Sequence, residues 1–260
     1  ASSIINNEFG VYTGAEIDFL GEVLKLNTTI RADKNENFDL NFSPAASIVY
    51  KPNKNDVLRL SFGSAIRNPT LSDQYLYYNV GRAILIGNLS GHGTKYGENL
   101  VTIESLYEYF TPSVPVYDSL NFFSVDPIRP EKAKSIELGY RSTFSNKVYL
   151  DANIYFSEYT DFIGYKIGAK FQADTSNGGF SIALPSIQAY RMAANAENKV
   201  TTKGASIGVN YYPNGDISLT GNYSWNSLNE KGTNDPIIPA YNTPEHKFNL
   251  GCLIKNIHLD

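Results

Sequence analysis

The sequence predicts an all-β protein, part of an antiparallel, up-and-down membrane β-barrel to which this chain contributes about nine long strands. The first observation is that apolar and polar residues alternate along most of the chain, as they do in strands whose two faces meet different surroundings. The second is strand length, roughly 11 to 20 residues, against about 5–6 in globular proteins and about 9–11 for a tilted strand within a bilayer. The third is that short turns alternate with long connections, as in transmembrane barrels.

The alternation is clearest in residues 148–157, where every second side chain from Val148 to Phe156 is apolar. The predicted strands are 8–19, 22–33, 42–51, 55–67, 133–145, 147–159, 190–212, 216–228 and 246–257. Short turns are predicted at 19–22, 51–55, 145–147 and 213–216, and long connections at 33–42, 68–132, 160–188 and 229–246. We treat 190–212 as one strand because every short turn then lies on the same side of the membrane.

The strand count predicts that the barrel extends beyond this chain. Nine strands cannot close a large barrel by themselves, and lipid does not tolerate the unpaired edges of an open sheet. We therefore expect residues 1–260 to be part of one larger barrel domain.

Composition and motifs exclude several classes of protein. The net charge of −4 gives no indication of a nucleic-acid partner. Cys252 is the only cysteine and the three histidines are scattered, so neither a disulfide framework, a metal site nor another cofactor is predicted. The sequence contains no stretch of about 18 apolar residues, so no membrane helix is predicted. The sequence contains no GxSxG motif, and its residues do not combine into a catalytic set of nucleophile, base and orienting group. We therefore do not expect an enzyme.

A soluble all-β protein, such as a lectin-like sandwich or a propeller, stays open on hydropathy alone. The mean hydropathy is −0.28, but a barrel with a polar lumen also has such a value because only half of each strand is apolar. The 19 tyrosines favour the barrel, because tyrosine suits a surface that is apolar at one end and wet at the other.

Four segments resemble conserved stretches of one family, the TonB-dependent receptors, in that family's order and at similar spacings. They are SPAASIVY (43–50), IRNPTLS (66–72), RPEKAKSIELGY (129–140) and NTPEHKFNLG (242–251). The first departs from the family pattern because Ala45 stands where the family usually has arginine. The local sequence of these segments is most similar to that of receptors of the Bacteroidetes.

The resemblance implies a 22-stranded barrel in the bacterial outer membrane, closed by an N-terminal plug. Such receptors actively import a scarce ligand, a siderophore, cofactor, oligosaccharide or peptide, with energy from the TonB complex. This chain shows no plug, so TonB would act through a missing part. The other implied partners are the nutrient ligand, outer-membrane lipid, and a surface lipoprotein or assembly partners. The alternative is a receptor-like barrel that acts as a structural subunit of a larger outer-membrane assembly.

Two groups of residues are candidates for function. On the polar faces of the strands, the charged residues are expected to face the lumen, either solvated or in contact with a plug or ligand: they are Arg59, Arg67, Glu137, Arg141 and Asp151. The connection 68–132 is expected to be a long extracellular loop, and its aromatic and acidic residues suit ligand capture. Those candidates are Asp73, Tyr75, Tyr77, Tyr78, Tyr107 and Tyr109. The alternative for this connection, and the more common one, is a loop that packs on itself over the barrel mouth.

Overall fold

A computed structural model describes residues 4–111, 117–174, 180–230 and 243–255. Within them the chain is built mainly from β-strands. In chain order these are β1 (Glu8–Phe19), β2 (Leu24–Asn35), β3 (Phe38–Tyr50), β4 (Asp56–Arg67), β5 (Tyr77–Asn79), β6 (Ala83–Ile86), β7 (His92–Gly93), β8 (Leu100–Val101), β9 (Ser124–Val125), β10 (Glu131–Phe144), β11 (Val148–Thr160), β12 (Ile163–Lys170), β13 (Ala173–Asp174), β14 (Ser181–Ile182), β15 (Gln188–Asn195), β16 (Val200–Tyr211), β17 (Ile217–Glu230) and β18 (His246–Ile254).

Helices are few and short in the described residues. The α-helices are α1 (Leu71–Tyr75) and α2 (Ile103–Phe110), and the 3₁₀ helices are Thr94–Tyr96, Tyr117–Ser119 and Leu184–Ser186. None of the helices found there is long and apolar enough to cross a membrane.

Nine strands form one sheet, which we call the wall, in the order β1-β2-β3-β4-β10-β11-β16-β17-β18. Each strand is antiparallel to the next, and neighbours in the sheet follow one another along the chain apart from the inserted strands β5–β9 and β12–β15. The predicted all-β, up-and-down architecture with nine long strands is therefore confirmed.

The register places the apolar side chains of neighbouring strands on one face of the wall. Leu60 lies opposite Ile48 on one side and Leu138 on the other, and Leu138 lies opposite Ile154. These four side chains are 44–56 % exposed. A continuous apolar surface across nine strands is far larger than the patches that soluble monomers show to water. The face is therefore suited to lipid.

An aromatic residue ends each strand that leads into one of the four short turns predicted from the sequence. These residues are Phe19, Tyr50, Phe144 and Tyr211, which are 41–46 % exposed. The register places them on the apolar face, at the end of the wall that we call the turn end. Aromatic side chains gather where hydrocarbon meets water, so this row marks one border of the bilayer.

The short turns use residues that suit tight reversals. Ser145 and Asn146 have φ of 50° and 54°, the left-handed conformation that both central residues of a type I′ turn require. At another turn, the side-chain oxygen of Asn214 accepts hydrogen bonds from the N–H groups of Asp216 and Ile217. Both turns occupy positions that the sequence predicts.

Two predicted features are wrong. The segment 33–42 is a hairpin rather than a long connection, because β2 runs to Asn35 and β3 begins at Phe38. The Asn35 side chain closes this hairpin by accepting a hydrogen bond from the N–H of Asn37 at 2.9 Å. The polar sequence there suggested a loop, but strand pairing uses only the backbone.

The predicted strand 190–212 is also wrong, because it is two strands. β15 pairs with β12 and β6 in a second sheet, and only β16 belongs to the wall. The side chains of Met192, Ala193 and Ala194 are all buried, so β15 is covered on both faces. The turn after β16 stays at the turn end, because β12 and β15 pair with each other outside the wall.

Candidate functional site

The two longest connections of the described chain fold together into a single unit. Residues 68–130 join β4 to β10 and residues 161–199 join β11 to β16, and we call the two together the loop assembly. Their strands form a five-stranded sheet in the order β5-β6-β15-β12-β8, which we call the loop sheet. Because β6 pairs with β15 and β12 pairs with β8, neither connection can build this sheet alone.

The loop assembly has apolar cores of its own. One cluster contains Ile84, Ile86, Leu100, Val125, Met192, Ala194 and Ala196, and a second contains Val101, Leu106, Tyr109, Leu120, Ala169, Phe171 and Ile182. Each cluster contains residues of both connections. The connection 68–130 thus packs on itself, as expected for the more common kind of long loop, and it also packs on the connection 161–199.

Asn88 links the two connections through buried hydrogen bonds. Its side chain is fully buried and donates to the backbone carbonyls of Asp126 and Ala193 at 2.7 and 2.8 Å. It also accepts from the N–H of Gly91 at 2.9 Å. A buried amide with three partners fixes the local backbone, since each partner would otherwise lose its hydrogen bond away from water.

A capping box starts helix α1 and places Asp73. The Thr70 hydroxyl accepts from the N–H of Asp73 at 3.2 Å, and the Asp73 carboxylate accepts from the N–H of Thr70 at 2.8 Å. Gly87 packs against the end of this helix, where an added Cβ would lie only 2.4 Å from the backbone of Gln74. Part of the role of Asp73 is therefore structural.

The predicted ligand-contact residues divide into exposed and buried ones. Tyr77, Tyr78 and Tyr107 are 72, 60 and 74 % exposed. Tyr75 is half-buried, and its hydroxyl accepts a hydrogen bond from Asn37 at 2.8 Å. Tyr109 is only 2 % exposed, with its ring edge-on to Phe110 at 4.9 Å, so it belongs to the core and not to a ligand surface.

A cavity of about 190 Å³ opens on the loop sheet between α1, β6, β12 and β15. Its walls include Asp73, Leu76, Leu85, Tyr165, Arg191 and Ala193. The guanidinium carbon of Arg191 lies 3.4 Å from the centre of the Tyr165 ring. The sequence did not indicate Tyr165 or Arg191, because they are 26 positions apart and meet only through the pairing of β12 with β15.

The predicted lumen-facing residues share the polar face of the wall. Arg59 donates to Glu137 at 2.6 Å, and Asn153 donates to the same carboxylate oxygen at 3.4 Å. On the next strand pair, Arg141 contacts Asp151 at 2.8 Å. The ion pairs and amides therefore form a cross-strand network on the face opposite the apolar one.

Arg67 and Glu131 lie at the end of the wall opposite the short turns, which we call the loop end. Arg67 contacts Glu131 at 2.6 Å, and Glu131 also accepts from the N–H of Ile163 at 3.0 Å. Nearby, Phe38 packs with Ile128 and Ile163. These contacts attach the loop assembly to the wall.

Charged groups within the loop assembly are mostly paired. Hydrogen bonds from Lys95 and then Tyr96, at 2.7 and 2.8 Å, lower the pKa of Asp126. Burial would raise the pKa of Glu98, but Lys170 and the N–H of Gly93 outweigh it and lower the pKa. In the part of the chain that the structure describes, no group of three or more His, Cys, Asp or Glu side chains could hold a metal ion.

A family model described as "TonB dependent receptor-like, beta-barrel" matches residues 1–255. The chain belongs to this family. The match confirms the family that the sequence resemblance indicated and places the receptor in the bacterial outer membrane. It also places the chain in a family of receptors and transporters. No curated protein matches the sequence.

Solved structures of the same fold cover nearly all of this receptor chain. A ferric enterobactin receptor (PfeA) variant from Pseudomonas aeruginosa has a TM-score of 0.62 and 13 % identity over 97 % of the chain. The copper transporter OprC has a TM-score of 0.58 and 14 % identity over 96 %. The siderophore receptor PirA from Acinetobacter baumannii has a TM-score of 0.57 and 15 % identity over 89 %. The chain spans 31, 33 and 29 % of these proteins, respectively.

The receptor's Asp126 cluster should make one corner of the loop assembly sensitive to acid. Because the folded pKa of Asp126 is lowered, its ion pair stabilises the fold above the unfolded pKa of about 3.9 and is lost as pH falls through the folded value. Hydrogen exchange at residues 93–97, corrected for its intrinsic pH dependence, should therefore accelerate below about pH 4. An Asp126→Asn variant should show no such step, and an identical step in that variant would refute the assignment.

Proposed function

We propose that this receptor actively imports a scarce ligand through a plugged barrel energised by the TonB complex. The ligand is a siderophore, a cofactor, an oligosaccharide or a peptide. The observation that supports this most is that both long connections leave the wall at the loop end and fold there into one unit with an open cavity. A rigid loop assembly over the mouth of a barrel is suited to capture a ligand before it enters.

The two faces of the wall support a transport role for the barrel. The apolar face meets lipid, and the polar face lines a lumen that is filled by water and a plug. Charges within the bilayer are expensive unless they face such a lumen or pair with one another. On this basis we assign the lumen-facing role to Arg59, Arg67, Glu137, Arg141 and Asp151. Of these, Arg67 also holds the loop assembly through its ion pair with Glu131.

The ligand-contact role falls to the exposed side chains of the connection 68–130. We place this connection outside the cell, because long connections of outer-membrane barrels face outward. Tyr77, Tyr78 and Tyr107 present aromatic rings to solvent, and Asp73 and Tyr75 belong to helix α1, which ends just before Tyr77. Aromatic rings with a few polar groups suit sugars, peptides and aromatic chelates alike.

Genetic epistasis tests the proposal. The strain that lacks the gene and its parent are grown in four media, in which the limiting nutrient is an iron chelate, cobalamin, an oligosaccharide or a peptide. In one of these media the deletion strain should grow more slowly than its parent. Deleting tonB in the same background should add no further defect in that medium, because both genes act in one uptake step. The parent strain in the corresponding rich medium is the control.

Two outcomes would contradict active import. One is growth equal to that of the parent in all four media, together with stable partner proteins that purify with the receptor from native membranes. That result would favour a structural subunit of an outer-membrane assembly. The other is an additive defect in the double deletion, which would separate the receptor's task from TonB.

A further inference from the structure

Arg191 differs from the other arginines by being half-buried without a counter-ion. Five of the seven arginines lie within 2.8 Å of a carboxylate oxygen, namely Arg31, Arg59, Arg67, Arg129 and Arg141. Arg82 has no ion pair with any residue that the structure describes, but it is exposed. Among the described residues, Arg191 has neither an ion pair nor a hydrogen-bond acceptor. A partly desolvated cation without an acceptor is unfavourable, so an external anion would be bound well there.

The Tyr165 ring fixes the orientation of the Arg191 guanidinium. Its central carbon is 3.4 Å from the ring centre, so one flat face of the group is covered. The N–H donors point outward in the plane of the group, where two of them match the two oxygens of a carboxylate. Because the ring holds the group in place, less side-chain freedom is lost when a ligand binds.

The cavity around Arg191 combines apolar walls with one negative group. Leu76 and Leu85 provide aliphatic surface, and Asp73 contributes a carboxylate. One Asp73 oxygen accepts from the Thr70 N–H and hydroxyl, while the other has no hydrogen-bond partner among the described residues. A site with one cation and one anion disfavours a dianion such as phosphate. It favours a ligand that carries both a carboxylate and a donor group.

A row of side chains connects the cavity to the exposed Tyr78. Tyr78 lies opposite Leu85 across β5 and β6, Leu85 lies beside Arg191 across β6 and β15, and Arg191 lies opposite Ile167 of β12. These four side chains share one face of the loop sheet, because directly paired residues point to the same side. A ligand held at Arg191 can therefore extend towards Tyr78.

We propose that this cavity is a binding subsite for a small molecule that carries a carboxylate and, a few bonds away, an ammonium or hydroxyl group, as an amino acid or short peptide does. Arg191 binds the carboxylate, Asp73 accepts from the donor group, and the leucines cover the apolar part. The subsite rests on the proposed function for its purpose, since it names the chemical class of the ligand. Its binding can be measured without transport.

The test uses the full-length protein in detergent micelles and labelled glycyl-leucine, which has a carboxylate, an ammonium and an apolar side chain. Equilibrium dialysis should show saturable binding to the unaltered protein. Arg191→Gln should weaken it about tenfold or more, because a charge-assisted, two-point contact is lost. Arg191→Lys should have an intermediate effect, because charge remains but the fork does not. Arg82→Gln, at the other unpaired arginine, should leave binding unchanged.

Ligand variants give the same information without altering the protein. Glycyl-leucinamide lacks the carboxylate and should bind the unaltered protein about as weakly as the dipeptide binds Arg191→Gln. Equal binding of amide and dipeptide, equal binding by Arg191→Gln, or no binding of glycyl-leucine would each overturn the subsite. Normal binding with no TonB-linked growth defect would overturn the proposed function and leave the subsite standing.

Discussion

Leu60→Arg should prevent most of this receptor from assembling stably in the outer membrane. Leu60 lies on the apolar face between Ile48 and Leu138 and is 45 % exposed. An arginine on the lipid side of a barrel destabilises it by about 2–4 kcal/mol near the bilayer midplane, and by less near its borders. The expected result is a lower free energy of unfolding in urea titrations of the full-length protein in phospholipid vesicles.

The adjacent residue provides the control for this substitution. Ser61 points to the opposite face of the same strand and lies directly across from Glu137. Ser61→Arg therefore places the same charge beside a carboxylate on the polar face. The free energy of unfolding should then change by less than about 1 kcal/mol. If the two variants unfold alike, the assignment of the two faces to lipid and lumen is wrong.

Asn88→Ala should loosen the loop assembly while leaving the wall intact. The substitution removes three hydrogen bonds at a fully buried position and leaves two carbonyls and one N–H without partners. Because unsatisfied buried groups cost about 1–3 kcal/mol each and local relaxation recovers part of this, we expect a loss of about 2–4 kcal/mol. Hydrogen exchange should accelerate in β6 and β15 and stay slow in β10 and β11.

An exposed asparagine of the loop assembly serves as the matched control. Asn79 accepts one hydrogen bond, from the N–H of Gly81 at 2.7 Å, at a solvent-exposed turn. Asn79→Ala should change exchange only locally, since water replaces the lost partner. Uniform acceleration through the wall in Asn88→Ala would show that the loop assembly and the wall unfold as one unit, against our expectation.

The wall could be predicted from the sequence because each of its strands separates lipid from a polar interior. Because of that separation, apolar and polar residues alternate along each strand, as they do from Leu58 to Phe62. It fails for β15, where Met192 to Ala194 are buried in succession and the pattern carries no information on which sheet the strand joins. Parity of the short turns then favoured one long strand, although an excursion of two paired strands satisfies the same parity.

The candidate site was predicted only in part, for a related reason. Tyr77, Tyr78 and Tyr107 are exposed as expected, but Tyr109 is buried. Its position three residues after Leu106 on α2 is the available signal, since both side chains then lie on one helix face. Arg191 and Tyr165 carried no such signal, because their contact depends on which strands pair, and pairing between distant segments is not visible in local patterns.

The parallel pairing of β6 with β15 has a consequence for how such receptors can change their ligand. Residues of the two connections share sheets, cores and the Asn88 hydrogen bonds, although about one hundred positions separate them along the chain. If one of the two connections is replaced by that of a relative and the other is kept, the new residues will not fit the strand pairing and apolar core that the two connections share. Exchange of specificity between receptors of this construction should therefore require both insertions to be grafted together, as a single inherited cassette.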